Sequence, residues 1–478
     1  MKLAKIIENI DCKVIGSTNK KVEHLTHMAQ EAKPRSIYFC LSGKFANGMQ
    51  WVQTALENGC DVVVCEQSCT TKRGVTQIIV PDARKAMSEI ASVFYCSPAE
   101  KLKIIGVTGT NGKTTTTTMI AHILSSQYKV GIIGTNGVKF DGKTLPSNLT
   151  TPDPIDFHKI LSEMVQSGVE FVVMEISAHA IFLQKMWGVM CDIIAFTNLS
   201  QDHLDFFENM ESYQQAKMQI FKQDTYKKSV VCTDTECGQK IAQIARNCTS
   251  CSTKTNNANI FACDVEHTTS SQTFSVVSKS GQAKITLKLL GMFNVQNALV
   301  AISVCSNLGL SFDQCAAALE NLNGVDGRFE CYSNDQTTVI VDFAHTPDGL
   351  KNILLAARQV CKKHKVICVF GCGGNRDKEK RPLMGAIAEE FSDFCIITTD
   401  NPRYEDNWDI ACDIAKGFSK NKYKIVLDRG QALREAVMLA KKGDIVIFAG
   451  KGAETTTEIC GTKVESSDKN IVKKVLCI

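Results

Sequence analysis

A glycine-rich segment has the residue types and spacing needed to bind a triphosphate: Gly106-Val107-Thr108-Gly109-Thr110-Asn111-Gly112-Lys113-Thr114-Thr115. Glycines let backbone N–H groups converge on phosphate oxygens, and a helix that begins at the end of such a loop adds a partial positive charge. The lysine reaches the terminal phosphates, and a threonine hydroxyl holds Mg²⁺. We therefore predict that ATP is bound by Gly109, Thr110, Asn111, Gly112, Lys113, Thr114 and Thr115, with Thr114 also a ligand of Mg²⁺.

The loop departs in one position from the commonest phosphate-binding pattern. That pattern has a glycine five positions before Gly112, where this chain has Val107. The segment therefore fits a variant loop in which Gly109 lies closer to the lysine. The alternative is a glycine-rich turn with an incidental lysine. A strand before the segment and a helix after it both favour the nucleotide-binding interpretation.

Two later segments have side chains suited to an amino acid. Asp400-Asn401-Pro402-Arg403 follows an apolar run, so it lies at the carboxyl edge of a predicted sheet, and its guanidinium matches a carboxylate. A second glycine turn, Gly450-Lys451-Gly452-Ala453-Glu454, offers the Glu454 carboxylate to an ammonium group. A surface salt bridge is the alternative role for Arg403, because such pairs form easily.

Apolar patterning predicts the elements that position these segments. Residues 1 to about 100 have short apolar runs at 36–41 and 61–66 with a helical stretch at 49–58 between them, which indicates a small α/β domain. From Lys103 the pattern is strand, glycine turn and helix. Continuous apolar runs at 171–174 and 193–196 are typical of strands buried on both faces. Residues 259–290 predict a polar antiparallel edge, and 291–308 a helix.

The last third of the chain alternates apolar runs with helical stretches, which is typical of a parallel sheet with crossover helices. The runs are 338–341, 366–370, 394–398, 424–427 and 445–448. We therefore predict an α/β protein of three domains. These are a small N-terminal α/β domain at 1–100, a central P-loop ATPase-like domain at 101–328, and a C-terminal Rossmann-like domain at 329–478.

Composition limits the classes of partner. The chain has 478 residues with 54 basic and 50 acidic side chains, so its net charge of +4 gives no reason to expect a nucleic-acid or membrane partner. No run of about 18 apolar residues could span a bilayer, and the N-terminus lacks the apolar core of a signal peptide. The 22 cysteines are scattered through apolar stretches, which favours reduced, buried thiols in a cytoplasmic protein. We also expect a monomer.

From the phosphate loop to about residue 455, the sequence resembles the Mur ligases of peptidoglycan synthesis. Many motifs occur in the same order, which is more specific than any one of them. After the loop itself the motifs are Asn148–Pro154, Met174–Ala180, Thr197–Asp205, Tyr213–Lys217, Gly291–Ala298, Gly327–Glu330, Val341–Pro347, Asp400–Arg403 and Gly450–Glu454.

The resemblance implies roles around the nucleotide. It assigns Glu175 and His203 to Mg²⁺, and Lys217 to a carbamate that presents an anion to a second Mg²⁺. From their types alone, Glu175 could be a helix cap, His203 a satisfied surface histidine and Lys217 a solvated lysine. The catalytic set is therefore Lys113, Glu175, His203 and Lys217.

The resemblance also places four further residues near ATP. Asn294 and Asn297, three apart on one helix face, are expected near the adenine, with capping by Asn294 as the alternative. Arg328 is expected to clamp phosphates at a domain junction. Asp342 is expected near the ribose, with a turn-forming role as its alternative.

The implied reaction is ATP-dependent amide-bond formation through an acyl phosphate. Thr150-Thr151-Pro152 resembles the segment of the family member that adds the third residue of the stem peptide to a UDP-linked muramoyl peptide. With Ser177, these residues are expected to contact substrate. Asp400, Asn401, Pro402 and Arg403 resemble the version that selects meso-diaminopimelate, with Gly450 and Glu454 completing the pocket. The cofactors implied are ATP and Mg²⁺.

Some positions differ from the family pattern. Ala453 stands where relatives have histidine, and Leu25–Met28 and Phe45–Met49 stand where they have Asp-Ser-Arg and Asp-Gly-His patterns. Three alternatives therefore stay open: a paralogue with another acceptor, a folylpolyglutamate-synthetase-like ligase, and an ATP-binding protein without ligase activity. The Thr-Thr-Pro and Asp-Asn-Pro-Arg segments argue against the second.

Overall fold

The computed structural model describes residues 1–43, 47–69, 73–147, 149–268, 270–361 and 363–478. Phe45, Ala46 and Asn148 of the segments quoted above lie outside the described residues. The chain divides into two compact units. The first contains residues 1–106, 128–192 and 223–227, and the second contains 107–127, 193–222 and 228–478.

The N-terminal part of the first unit is a small α/β layer, as the apolar runs predicted. Its sheet has the order β1-β5-β4-β3-β2, with β2 to β5 parallel and β1 antiparallel to β5. Strands β3 and β4 are buried along their whole length, because both sheet faces are covered by apolar clusters. The predicted helix at 49–58 forms as a 3₁₀ turn, Gly48–Trp51, followed by α2. The elements are α1 (Leu3–Ile6), β1 (Lys13–Ile15), β2 (His24–Thr26), β3 (Ser36–Phe39), α2 (Val52–Glu57), β4 (Val62–Cys65), β5 (Thr76–Ile79) and α3 (Ala83–Phe94).

Between residues 103 and 325 the chain forms strands β6 to β16 and helices α4 to α11. These are β6 (Lys103–Thr108), α4 (Lys113–Leu124), β7 (Val130–Gly134), β8 (Gly137–Phe140), β9 (Lys143–Leu145), α5 (Pro154–Gln166), β10 (Phe171–Glu175), α6 (Ala178–Phe182), β11 (Cys191–Phe196), α7 (Leu204–Phe207), α8 (Met210–Lys222), β12 (Tyr226–Cys232), α9 (Glu236–Ile244), β13 (Cys248–Ser252), β14 (Ile260–His267), β15 (Gln272–Ser278), β16 (Gly281–Leu287), α10 (Met292–Asn307) and α11 (Phe312–Glu320).

The strands predicted in this region are confirmed. The runs at 171–174 and 193–196 are β10 and β11; β10 is wholly buried and pairs in parallel with β7. In the second unit, β12, β13 and β14 pair in parallel, and β14, β15 and β16 form an antiparallel meander that ends the sheet at β16. The meander is the polar edge predicted at 259–290, and α10 is the helix predicted at 291–308.

The C-terminal third has a six-stranded sheet of order β17-β18-β22-β19-β20-β21. Its five predicted strands are confirmed and run parallel, whereas β17 is antiparallel to β18. Strand β17 and the hairpin of β23 and β24 escaped prediction because they are short, polar and largely exposed. The elements are β17 (Glu330–Ser333), β18 (Thr338–Asp342), α12 (Pro347–Cys361), β19 (Val366–Phe370), α13 (Lys380–Phe391), β20 (Phe394–Ile397), α14 (Asn407–Ala415), β21 (Tyr423–Ile425), α15 (Arg429–Leu439), β22 (Ile445–Ala449), β23 (Thr456–Ile459), β24 (Thr462–Glu465) and α16 (Asp468–Leu476).

The structure shows the exposure of the cysteines and the character of the helices, on which composition gave two expectations. Most of the 22 cysteines are buried, as predicted, but Cys96, Cys331, Cys460 and Cys477 are exposed because they lie in loops, at the chain end and on the outer strand β17. Among the described residues, no helix combines the length and apolar composition needed to cross a membrane.

His158 makes the first unit sensitive to acid. It lies on α5, its side chain is 1% exposed, and neither ring nitrogen has a hydrogen-bond partner among the described residues. Burial lowers its pKa to about 4, from 6.5. Between pH 6.5 and 4 the unfolded state binds the proton and the folded state does not. The free energy of unfolding therefore decreases by about 3 kcal/mol as the pH is lowered through this range.

His158→Phe should remove this part of the acid sensitivity. Thermal unfolding followed from pH 7 to pH 4 should show a smaller loss of stability in the variant than in the wild-type protein, since phenylalanine takes up no proton. Parallel curves for the two proteins would contradict the assignment.

Candidate functional site

The phosphate loop joins buried strand β6 to helix α4, which begins at Lys113. Two glycines are required by close approach as well as by backbone conformation. A Cβ on Gly109 (φ 149°) would lie 1.9 Å from Thr197 Oγ1, and a Cβ on Gly112 (φ 85°) would lie 2.2 Å from Asn297 Oδ1. Strand, tight glycine loop and helix therefore follow in the predicted order, and the N-terminal N–H groups of α4 face the loop.

Lys113 folds back over this loop. Its Nζ donates to Gly109 O at 3.0 Å and to Thr110 O at 2.9 Å. The adjacent Thr114 Oγ1 accepts a hydrogen bond from Arg328 Nη2 at 3.0 Å. The Lys113 ammonium thus contacts two carbonyl oxygens, and the phosphate oxygens of an incoming triphosphate could take their place.

Lys217 is not the solvated lysine that its residue type suggested. It lies on α8 with 1% exposure, and its Nζ donates to Gly109 O at 2.8 Å. Burial, and then the nearby charge of Lys113, lower the pKa of Lys217 well below its usual value. Tyr213 lies beside it, with its hydroxyl 3.1 Å from Thr110 Oγ1. A buried amine of lowered pKa favours the neutral form, which is the form that can react with an electrophile.

His203 belongs to a charged cluster around Asp202. The buried Asp202 carboxylate lies 3.3 Å from His203 Nε2, 3.7 Å from His345 Nε2 and 3.6 Å from Lys380 Nζ. Burial by itself would raise the pKa of Asp202, but the bond from His345 and the surrounding positive charges hold it well below its usual range. The His203 side chain is 33% exposed and paired with Asp202, which is compatible with its alternative role as a satisfied surface histidine.

Asn111 ties the loop to other segments of the second unit. Its Nδ2 donates to Ser200 Oγ and to Asp348 Oδ2, both at 3.1 Å, and Thr197 Oγ1 donates to its carbonyl at 2.7 Å. Asp348 lies in the first turn of α12. The loop is therefore fixed from the helix after β18 as well as from its own sheet.

Asn294 and Asn297 share one buried face of α10, as predicted. Asn297 Nδ2 donates to Asn294 Oδ1 at 3.2 Å, and Asn294 Nδ2 donates to Leu290 O at 2.8 Å. The capping alternative for Asn294 is wrong, because Gly291 is the N-cap of α10.

Arg328 and Asp342 lie where two segments of the second unit meet. The Arg328 guanidinium stacks 4.4 Å from the centre of the Phe343 ring while it contacts Thr114. Asp342 ends β18 and accepts N–H groups of Phe329 and Ala344, each at 2.7 Å. Asp342 therefore organises the turn after β18, its alternative role, and burial raises its pKa.

The two segments chosen for the amino acid meet beyond the carboxyl ends of β20 and β22. Asn401 Nδ2 donates to Glu454 Oε2 at 3.0 Å. Lys451 is fully buried beside them. It donates to Glu454 Oε2 at 3.1 Å and to Asn401 Oδ1 at 3.3 Å. A Cβ on Gly450 would lie 2.6 Å from Asp400 Oδ2, so only glycine permits this approach.

Arg403 follows Pro402 in a left-handed conformation (φ 53°), and its side chain is 19% exposed. Its Nη1 donates to Gly374 O at 2.8 Å, and its Nε lies 3.2 Å from Glu458 Oε2. The salt bridge considered as an alternative thus exists, but it is half-buried rather than on the surface. Burial, and then the positive charge of Arg376, lower the pKa of Arg403. Two guanidinium groups therefore lie in one neighbourhood, which is suited to an anion.

In the first unit, Glu175 ends β10 and is almost fully buried. Its Oε1 accepts from Thr135 N at 2.8 Å and its Oε2 from Thr135 Oγ1 at 3.1 Å, and Thr150 Oγ1 lies 3.2 Å from the same hydroxyl. The helix-cap alternative for Glu175 is wrong, because Ser177 caps α6 through a bond from Ala180 N.

Thr151 fixes the peptide between Glu175 and Ser177. Its Oγ1 donates to Glu175 O at 2.9 Å and accepts from Ser177 N at 3.0 Å. Pro152 directly follows this buried threonine, two residues before α5 begins at Pro154. The segment chosen for substrate contact is therefore tied to the strand end that carries Glu175.

The amino-acid sequence of the chain matches two family profiles. The profile of the Mur ligase middle domain matches residues 107–305, and that of the Mur ligase glutamate ligase domain matches residues 327–452. Together they cover more than half of the chain. The chain belongs to the Mur ligase family.

Curated relatives extend the match over the whole of this Mur ligase. UDP-N-acetylmuramoyl-L-alanyl-D-glutamate–2,6-diaminopimelate ligase 1 of Clostridium acetobutylicum is 37% identical over 481 residues, which cover 100% of this chain and 99% of the relative. The corresponding ligase of Clostridioides difficile is 39% identical over 486 residues, with the same coverage.

Solved structures confirm the mixed α/β fold of this Mur ligase. A UDP-N-acetylmuramoyl-L-alanyl-D-glutamate–2,6-diaminopimelate ligase superimposes with a TM-score of 0.70 at 28% identity, covering 100% of this chain and 99% of the other. Folylpolyglutamate synthase of Mycobacterium tuberculosis, complexed with ADP and AMPPCP, reaches 0.64 at 17% identity and covers 77% of this chain. That likeness is one of fold alone.

Sequence reasoning missed several residues that the structure places beside the candidate site residues of this Mur ligase. Asp202, His345 and Lys451 stood within recognised motifs, but their types alone gave no pairing. Lys380 and Arg376 gave no signal at all, since a lysine or arginine in a loop or first helical turn is usually solvated. Only the fold brings them to the Asp202 cluster, to Arg403 and to Glu454.

Proposed function

We propose that this Mur ligase adds meso-2,6-diaminopimelate to UDP-N-acetylmuramoyl-L-alanyl-D-glutamate with hydrolysis of ATP, in peptidoglycan synthesis. The observation that carries the proposal is the meeting of the Arg403 segment with the Glu454 turn through Asn401. Relatives similar over the full length, whose names state this reaction, support it. The folylpolyglutamate-synthetase-like alternative loses its support, because that likeness is confined to the fold.

The amino-acid pocket has charges that match diaminopimelate. This substrate has a distal carboxylate and a distal ammonium, besides the amine that forms the new bond. Arg403, with Arg376 nearby, provides guanidinium for the carboxylate. Glu454, held by Asn401 and Lys451, provides a carboxylate for the ammonium. Lysine lacks the distal carboxylate, so it could not form this contact with Arg403.

We assign ATP to the loop of Gly109–Thr115. Lys113 would exchange the carbonyls of Gly109 and Thr110 for phosphate oxygens, and Arg328, already beside Thr114, would bind the same phosphates. Asn294 and Asn297 would line the adenine and Asp342 the ribose. The acceptor carboxylate attacks the γ-phosphorus in line, ADP leaves, and an acyl phosphate forms. The amine then attacks the acyl carbon, phosphate leaves, and the amine loses a proton.

The residues present fit Mg²⁺ that is bound largely by phosphates. Among the described residues, no group of three or more His, Cys, Asp or Glu side chains could hold a metal alone. Mg²⁺ in nucleotide sites typically uses one or two protein ligands beside phosphates, so isolated donors suffice. In the second unit, Thr114, His203 and the carbamate of Lys217 would hold the ions. Glu175, in the first unit, is assigned to Mg²⁺ by the resemblance alone. When bound, Mg²⁺ neutralises negative charge on the transferred phosphoryl group.

Lys217 should need carbon dioxide for full activity. Its amine is buried, and its lowered pKa favours the neutral form, which can add to CO₂ with loss of one proton to give an anionic carbamate. Enzyme freed of CO₂ by exchange into degassed buffer should lose most of its activity and regain it with bicarbonate. Lys217→Met should be inactive with or without bicarbonate. Equal activity of wild-type enzyme in both buffers would contradict the carbamate.

The remaining assignments follow from this reaction. We assign residues 1–100 to the UDP-linked precursor, 101–328 to ATP and 329–478 to the amino acid, with Thr150, Thr151, Pro152 and Ser177 contacting the muramoyl peptide. The enzyme would act as a cytoplasmic monomer, and its product would be required for cell shape and cell division.

One assay tests the whole proposal. Purified protein is supplied with ATP, Mg²⁺ and the muramoyl dipeptide nucleotide, and diaminopimelate, lysine and other amines are compared by phosphate release and product mass. Diaminopimelate should give the tripeptide product at the highest kcat/KM. ATP binding without any amide product would refute the proposal.

A further inference from the structure

An ion-pair network lies behind Arg403 and takes no part in the reaction above. Its centre is Arg381, in the first turn of α13, whose side chain is only 1% exposed. Arg381 Nη1 donates to Glu405 Oε2 at 3.0 Å and Nη2 to Glu405 Oε1 at 3.1 Å. Nη1 also donates to Asp413 Oδ2 at 3.0 Å. A planar guanidinium bound to both oxygens of one carboxylate fixes orientation as well as distance.

Glu405 follows Arg403 by two residues and closes the loop that carries it. The Glu405 N–H donates to Pro402 O at 3.0 Å, and its Oε1 accepts the N–H of Asn375. Asn375 Oδ1 in turn accepts Tyr404 N at 3.0 Å. Burial would raise the pKa of Glu405, but the hydrogen bonds of Arg381 and Asn375 lower it to about 2, so the carboxylate stays charged.

Two segments, 373–376 and 401–405, are interlocked by these bonds. Gly374 N donates to Asn401 O at 2.9 Å, and a Cβ on Gly374 would lie 1.9 Å from Pro402 O. The Arg403 guanidinium is held by the carbonyl of Gly374 in the opposite segment. A shift of either segment would therefore move the Arg403 fork.

We propose that Arg381 is a positioning residue for diaminopimelate: through Glu405 it locks segments 373–376 and 401–405 together and so holds the Arg403 guanidinium in place for the distal carboxylate. This inference rests on the proposed function, in which Arg403 binds that carboxylate. Arg381 itself is buried and contacts Glu405, Asp413 and Gly373 rather than substrate.

Steady-state kinetics on Arg381→Gln and Glu405→Gln test this role. The KM for diaminopimelate should rise about 10- to 100-fold in each, because misplacing a binding group by about 1 Å has effects of this size. The KM for ATP and for the muramoyl dipeptide nucleotide should stay within about twofold. Asp413→Asn is the matched control. It removes the charge of the other carboxylate that Arg381 binds, leaves the pair with Glu405 intact, and should retain the wild-type KM.

A double variant separates positioning from general support. In an Arg403→Ala background, Arg381→Gln should add little to the KM for diaminopimelate, since Arg381 acts only through Arg403. Arg381→Lys should be intermediate, because one ammonium cannot bind both oxygens of Glu405. If Arg403→Ala and Arg381→Gln instead raise the KM for diaminopimelate independently, so that their effects multiply, the inference is overturned. It is also overturned if Arg381→Gln lowers the melting temperature and raises the KM values for diaminopimelate, ATP and the nucleotide together.

The result also separates this inference from the function on which it rests. Wild-type enzyme that does not use diaminopimelate would refute both. Wild-type enzyme that uses it, with Arg381→Gln and Glu405→Gln unchanged in KM, would overturn the role of Arg381 alone. If Arg381→Gln does not fold, Glu405→Gln decides, because it keeps the size of the side chain and leaves Arg381 paired with Asp413.

Discussion

Replacing Lys113 with alanine is expected to abolish ligation, with a fall in kcat/KM of at least about a thousandfold. The Lys113 ammonium lies over the carbonyls of Gly109 and Thr110 and is the cation best placed to move onto the terminal phosphates. Negative charge develops on these oxygens during transfer to the acceptor carboxylate, and alanine leaves it uncompensated. Product formation is measured by mass, with ATP and diaminopimelate saturating.

The control for this prediction is Lys103→Ala. Lys103 begins the same strand, β6, at its opposite end, where its side chain is exposed and lies over the Phe171 ring. That variant should keep its activity within about twofold, since surface changes have small effects. Lys113→Arg shows whether the positive charge alone is sufficient or the compact shape of the ammonium is also needed, because arginine keeps the charge on a bulkier group. A fully active Lys113→Ala enzyme with an unchanged melting temperature would refute the role of the loop.

Arg403→Ala should weaken the use of diaminopimelate by about 30- to 700-fold in KM, which corresponds to about 2–4 kcal/mol for a charge pair removed from a partly buried site. The reason is the loss of a guanidinium fork that is 19% exposed and held by Gly374 O. The KM for ATP should not change. The preference for diaminopimelate over lysine should largely disappear, because only the former has the distal carboxylate.

Two variants make this second prediction specific. Arg403→Lys keeps the positive charge but cannot form two parallel bonds, so it should recover only part of the affinity. Arg434→Ala removes an exposed guanidinium on α15 of the same C-terminal region and should behave as wild type. Unchanged selectivity in Arg403→Ala would show that the distal carboxylate is bound elsewhere.

The sequence was most informative where local pattern and local chemistry coincide. The loop at 106–115 was predicted correctly as strand, turn and helix, because its glycines, lysine and threonines are adjacent in the chain and their geometry is set within one turn. The parallel strands of the C-terminal sheet were predicted for a similar reason: strands covered on both faces need continuous apolar runs. The polar strand β17 and the hairpin β23–β24 have no such run and were missed.

The sequence by itself determined the α/β class, the order of the continuously apolar strands along the chain, and the candidate loops for triphosphate and carboxylate, since periodicity and neighbouring residue types encode them. Only the tertiary structure decided the environments of single ionisable side chains. Lys217 is buried and donates to Gly109 O, and Asp202 lies close to His345 and Lys380. Arg381 binds Glu405, two residues after Arg403. The physical reason is that burial and charge pairing depend on residues far apart in the chain, which no local pattern records.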